Sequence, residues 1–79
     1  MSTETLSFAR RLISARQRRD MTALHLAKAS GIDATQISHF ERASREPSAG
    51  NIRKLAIALD ITADYLLGLS HETRRINER

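Results

Sequence analysis

Two amphipathic helical stretches meet at a glycine near the middle of this chain, and that junction limits the fold more than any other feature. Thr22 is a good N-cap for a helix running from Ala23 to about Ser30, with Leu26 and Ala27 as its inward residues. Gly31 ends it, as a residue free to take positive φ. Ile32 follows as a buried hinge residue, and Asp33 caps a third helix that continues to about Arg42. Thr22 and His25 do not make a full capping box, because histidine is not the acidic partner, whereas Asp33 and Gln36 have the capping-box spacing. In the third helix Ile37 and Phe40 lie three apart and share one face. Ala34, Thr35, Ser38 and His39 fall mostly on the other. A helix that only covers a core usually carries long charged residues outside. This one presents short hydrogen-bonding groups that let another surface come close.

The flanking segments are helical too. Residues 1–5 are polar and expected to fray, and a first helix starts near Thr5 with Phe8, Leu12 and Ala15 inward. Its polar positions carry Arg10, Arg11, Arg16, Arg18 and Arg19, a solvated face that also suits the negative end of the helix dipole. Ile13 is a single apolar residue on that wet side. After Arg42 a polar loop, residues 43–48, contains the only proline; Pro47 disfavours helix at Glu46 and Ser48 can cap a fourth helix. That helix reaches about Leu59 with Ile52, Leu55, Ala56 and Leu59 inward, and Gly50 weakens its first turn. Ile61 packs in, Thr62 caps, and Ala63 to Leu67 form a short fifth helix ended by Gly68. No stretch alternates with period two. The expectation is an all-α domain of five short helices over residues 1–69, followed by a polar tail, residues 70–79.

A chain of 79 residues has room for one domain with a modest core, and with no cysteine neither a disulfide nor a thiolate zinc site can reinforce it. Its formal charge is +4, and eleven of its thirteen basic residues are arginine, which suits bidentate contacts to phosphate and base edges. No apolar run reaches the ~20 residues needed to span a bilayer, and the start lacks an apolar signal core. The default is a soluble, cytoplasmic protein without a membrane partner. His25, His39 and His71 have no metal-ligand spacing, and no glycine-rich phosphate loop follows a strand. Neither an enzyme nor a cofactor is expected.

Helix, glycine turn, helix, with Ala27, Gly31 and Ile37 at offsets of four and six, is the arrangement of a helix-turn-helix. Ala27 is small where the helices cross, Gly31 permits the turn, and Ile37 plugs the core. With one helix in front and two behind, residues 8–68 resemble the phage-repressor and Cro family, also called the xenobiotic response element family. The resemblance rests on F-A-R-R-L-I-S-A-R (8–16), M-T-A-L-H-L-A (21–27), G-I-D-A-T-Q-I-S-H-F-E-R (31–42), E-P-S (46–48) and L-A-I-A-L-D-I-T-A-D-Y-L-L-G (55–68). It implies a lambda-repressor-like domain whose third helix enters the major groove of double-stranded DNA.

Position by position, the resemblance puts Ala34, Thr35 and His39 at base-reading sites, with Gln36 and Ser38 near bases or adjoining phosphates. Thr35 can hydrogen-bond or meet a thymine methyl, Ala34 makes only the apolar contact, and His39 can donate to guanine N7 or O6. Thr22, Arg42, Arg45 and Asn51 match DNA-backbone positions. The resemblance also pairs Arg16 with Glu41 as a structural link, consistent with the cost of a lone carboxylate beside Phe40 at the core edge. Two departures stand out. Ala23 replaces the polar residue, commonly glutamine, that anchors a phosphate and braces the recognition helix, and Ala43 replaces a glycine often found after Glu-Arg, which predicts an altered turn. Ile13, Leu24 and Ile57 stand at usually polar positions.

The functional expectation is a sequence-specific transcriptional regulator, a repressor, acting as a homodimer on a palindromic operator in the nucleoid. Ile57, Tyr65, Leu67 and Leu69 are the expected dimer contacts. The alternative is an antitoxin or other interaction module that uses the same exposed apolar residues to hold a protein partner.

Overall fold

A computed structural model describes residues 2–70. They form five helices: α1 Thr3–Arg18, α2 Ala23–Ser30, α3 Ala34–Glu41, α4 Ala49–Leu59 and α5 Ala63–Leu66. There is no strand among the described residues. Met1 and residues 71–79, hence His71 and nearly all of the expected tail, lie outside them.

Each helix starts on a hydroxyl or carboxylate cap. Ser2, Thr22, Asp33, Ser48 and Thr62 accept from backbone N–H groups two or three residues on. Three details differ from the expectations. The first helix begins at Thr3 instead of Thr5, because Ser2 Oγ accepts the Thr5 N–H at 3.0 Å and meets Thr5 Oγ1 at 2.7 Å. His25 does close a capping box: its Nδ1 accepts from the Thr22 N–H at 3.4 Å, since a neutral imidazole nitrogen carries the lone pair the position requires. Asp33, by contrast, accepts only from Thr35 N, and Gln36 turns away from the cap to accept from Arg45.

Four of the five helix ends follow one pattern. After α1, α3, α4 and α5, a residue in the left-handed conformation lets two N–H groups reach back to the last carbonyls. Only the last of those four residues is glycine; the others are Asp20, Ala43 and Asp60, at φ 55–59°. Ala43 therefore holds the left-handed turn that its lack of glycine put in doubt, at a cost of about 1 kcal/mol. Gly31 (φ 74°) ends α2 with a single bond to the Ala27 carbonyl. The fifth helix stops at Leu66, with Leu67 as its cap.

The core is one cluster. Phe8 and Leu12 from α1, Leu26 from α2, Ile37 and Phe40 from α3, Leu55 and Leu59 from α4, and Leu66 from α5 are all at most 5% exposed. The helix-turn-helix pair α2–α3 packs together, α4 closes on α2, and α1 backs α3. The rings of Phe8 and Phe40 meet edge to face at 6.4 Å, which fixes α3 against α1. Ile52 is only half-buried at the rim.

Candidate nucleic-acid interface

Packing decides which side of α3 is available. Ile37 is fully buried and Phe40 is 1% exposed, so rotation of the helix would strip both from the core. Burying side chains of this size is worth about 1.5–3 kcal/mol each. With that face fixed, Ala34 and Thr35 are exposed at the N-terminal end, and Gln36, Ser38 and His39 are half-buried along the flanks. The expected readers thus lie on one short polar surface, whose two long members are tied to the following loop. Gln36 Oε1 accepts from Arg45 Nη1 at 3.3 Å, and His39 Nδ1 lies 2.9 Å from Ser44 Oγ.

Glu41, on the last turn, faces inward to Arg16. Arg16 Nε donates to Glu41 Oε2 at 2.6 Å, Nη2 donates to Oε1 at 3.1 Å, and Nη1 donates to the Met21 carbonyl at 2.8 Å. Both side chains are about 15% exposed, so this fork links α1, the turn before α2, and the end of α3 away from most solvent screening.

Arg11 and Arg18 of α1, and Arg19 at its C-cap, are similarly engaged, whereas Arg10 is exposed. Arg11 and Arg18 stand over the Tyr65 ring at 5.3 and 5.9 Å from its centroid. Arg19 Nε donates to the Leu59 carbonyl at 3.0 Å and its Nη2 lies 3.7 Å from Asp60 Oδ2. These contacts tie α1 to α4 and α5. Composition had no means of assigning them, because each partner is distant in sequence. Of the cations near α3, Arg42 and Arg45 are exposed in the loop that follows it.

Thr22 is exposed with its hydroxyl oxygen accepting the His25 N–H, and Asn51 is half-buried with its own N–H given to Ser48 Oγ. Ala23 packs its methyl on the core, so its side chain offers no hydrogen-bonding group beside the Thr22 cap. Of the expected dimer contacts, Ile57, Leu67 and Leu69 are 61, 49 and 73% exposed. Tyr65 does not belong with them: it is 7% exposed, a core residue under two arginines. Leu24 is also exposed, on α2. Ile52, Ala56, Ile57, Ile61, Ala63 and Leu67 line a shallow apolar groove between α4 and α5. A second groove, with Phe8, Pro47 and Leu69 in its lining, shares Ile52 and Leu67 with the first.

Among the described residues no group of His, Asp or Glu is placed to hold a metal ion, and no helix is long and apolar enough to cross a membrane.

Comparison with known proteins agrees with this geometry. The chain is 30% identical over 70 residues to the HTH-type transcriptional regulator ImmR of Bacillus subtilis (strain 168), a match covering 89% of this chain. It spans only about half (55%) of the length of ImmR. Its structure resembles that of the restriction-modification controller protein C.AhdI from Aeromonas hydrophila, with a TM-score of 0.79 and 35% identity, over 82% of this chain and 98% of that one. A helix-turn-helix family model matches residues 12–66. On the family match, the identity to ImmR and the shared fold with C.AhdI, the chain belongs to the repressor- and Cro-like helix-turn-helix family of DNA-binding regulators.

Proposed function

We propose that this chain is a sequence-specific transcriptional regulator, a repressor, that binds a palindromic double-stranded DNA operator as a homodimer. The observation that carries the reading is the division of α3. Ile37, Phe40 and Glu41 seat it against the domain, and Ala34, Thr35, Gln36, Ser38 and His39 remain on its open side, where they would read base edges. Arg42, Arg45, Thr22 and Asn51 would serve as anchors to the phosphate backbone. ImmR and C.AhdI are named as a transcriptional regulator and a controller protein, and both names fit this role.

The dimer reading is supported by the joined grooves around Ile57, Leu67 and Leu69, an apolar strip that a second copy would cover. Two copies would set their recognition helices in successive major grooves roughly 34 Å apart. The strip also fits a second reading, in which a protein partner takes the place of the second copy, as in an antitoxin. Sedimentation of the chain alone separates the two. A cytoplasmic, nucleoid-bound location accompanies either reading that retains DNA.

Selection of bound sequences from random duplexes tests the proposal directly, because it reports both operator and half-site spacing. If the dimer neutralises about eight phosphates, log affinity should fall against log salt with a slope of roughly −7. A slope near zero on the selected duplex would refute operator binding.

A further inference from the structure

The turn after α3 brings a hydroxyl to the one titratable reader. Ala43 takes the left-handed conformation, so the Ser44 N–H bonds back to the His39 carbonyl at 3.0 Å. This places Ser44 Oγ 3.2 Å from that same carbonyl and 2.9 Å from His39 Nδ1. A hydroxyl has one proton to give. If Ser44 donates to Nδ1, the Oγ contact with the carbonyl is left without a proton. If it donates to the carbonyl, Nδ1–H can donate to Oγ, and both short contacts become hydrogen bonds. The carbonyl has a lone pair for each of its two donors, so nothing opposes the second arrangement.

We propose that Ser44 fixes neutral His39 in its Nδ1–H tautomer, so that the ring presents Nε2 to the DNA as an acceptor and selects a base with an exposed amino group. The inference rests on α3 being the reading helix. Cytosine N4 and adenine N6 are the amino groups a major groove displays, and guanine offers only acceptors there. The simple expectation that His39 donates to guanine is thereby reversed for the neutral ring. Ser44 acts here as a positioning residue, reading no base itself.

His25 supplies an internal control. Its Nδ1 accepts from the Thr22 N–H, so neutral His25 must carry its proton on Nε2. The two histidines should therefore show opposite tautomers.

The test is a long-range proton–nitrogen correlation spectrum of the full chain at pH about 8, above the ordinary histidine range. His39→Gln identifies the His39 signals by their loss. The wild type should show His39 protonated at Nδ1, Ser44→Ala should move the proton to Nε2, and Ser44→Thr should restore it. Duplex selection with the same proteins should then favour cytosine or adenine over guanine at one position per half-site by about three- to tenfold, the scale of a single neutral hydrogen bond. That preference should fall to near unity in Ser44→Ala. A wild-type spectrum with His39 protonated at Nε2, or one unchanged by Ser44→Ala, overturns the Ser44 assignment whether or not DNA binds. An Nδ1–H spectrum with guanine selected at the His39 position overturns the specificity half. An Nδ1–H spectrum with no duplex selected at all sinks the regulator reading, and the base preference with it.

Discussion

The Arg16–Glu41 fork holds α3 against α1, and its removal gives a measurable test of that idea. The pair lies between two limits. Exposed ion pairs contribute at most about 1 kcal/mol, whereas removing one partner of a fully buried pair costs about 3–5 kcal/mol. With side chains 16 and 14% exposed and three hydrogen bonds from one guanidinium, a cost of about 2–3 kcal/mol is expected for Arg16→Ala. Glu41→Ala should cost less, about 1–2 kcal/mol, because Arg16 keeps the Met21 carbonyl and can extend toward water. In a domain this small each kcal/mol moves the melting point by roughly 4–8 °C, so Arg16→Ala should melt about 10–20 °C lower. Urea unfolding followed by far-UV circular dichroism would measure all three variants. The double variant should lose about 1 kcal/mol less than the sum of the singles, because it leaves neither charge stranded. Arg16→Lys should recover only part of the loss, since an ammonium cannot span both carboxylate oxygens and the carbonyl together. At low temperature the folded Arg16→Ala protein should still bind its operator. Singles within ~0.5 kcal/mol of wild type, or strictly additive losses, would refute the fork as the device that seats α3.

Other perturbations have equally definite outcomes. Gly31→Ala and Gly50→Ala should shift stability in opposite directions, as read from urea midpoints. A Cβ at Gly31 meets nothing within 4 Å but sits at φ +74°, costing about 1 kcal/mol, whereas at Gly50 it makes an ordinary 3.8 Å contact with Ser48 Oγ and should gain a few tenths up to ~1 kcal/mol. Equal signs would mean that one of these turns is differently built. Thr35→Ala should relax base preference at one operator position, by about 1 kcal/mol in competition binding, and leave non-specific affinity nearly unchanged. Arg45→Ala should weaken all duplexes alike and flatten the salt slope by about one per subunit; loss of sequence preference alone would make it a reader. Ile57→Glu places a charge in the apolar groove and should give a folded monomer by sedimentation, with operator affinity reduced at least tenfold as the second half-site is lost; an unchanged dimer would move the interface elsewhere.

Local signals made most of the fold legible. Hydrophobic spacing placed Phe8, Leu12, Leu26, Ile37, Phe40, Leu55 and Leu59 inward, and all are buried. Hydroxyls and a carboxylate marked every helix start from α2 onward, and they sit there as caps. The missed start of α1 has the same logic, one hydroxyl earlier at Ser2. Helix ends were harder to read, since three of the left-handed stops use Asp20, Ala43 and Asp60 where glycine is the residue that announces such a turn. Tyr65 illustrates a different limit. Its apolar body suggested a contact surface, but whether α5 turns it outward depends on α1, some fifty residues earlier, and α1 covers it with Arg11 and Arg18.

That covering bears on how a basic helix-turn-helix domain uses its charge. An excess of arginine invites the inference that the arginine-rich segment faces DNA, and α1 is the richest segment among the described residues. Yet Arg11, Arg16, Arg18 and Arg19 each meet a partner within the domain, on Tyr65, Glu41 and Met21, or the end of α4. A guanidinium suits this task because its planar fork can satisfy a carboxylate and a carbonyl at once or lie over a ring, and its long stem covers apolar surface that a 79-residue chain has little core to hide. The net charge still raises the potential around the molecule and speeds encounter with DNA. Register on the duplex, however, would depend on the few cations set around α3, chiefly Arg42 and Arg45. A charge-to-alanine series should therefore separate cleanly: the α1 variants Arg11→Ala, Arg16→Ala and Arg18→Ala by melting, and Arg42→Ala and Arg45→Ala by salt slope at unchanged melting. If Arg11→Ala or Arg18→Ala flattened the salt slope as strongly as Arg45→Ala without lowering stability, α1 would belong to the DNA face, and the contacts with Tyr65 would be incidental.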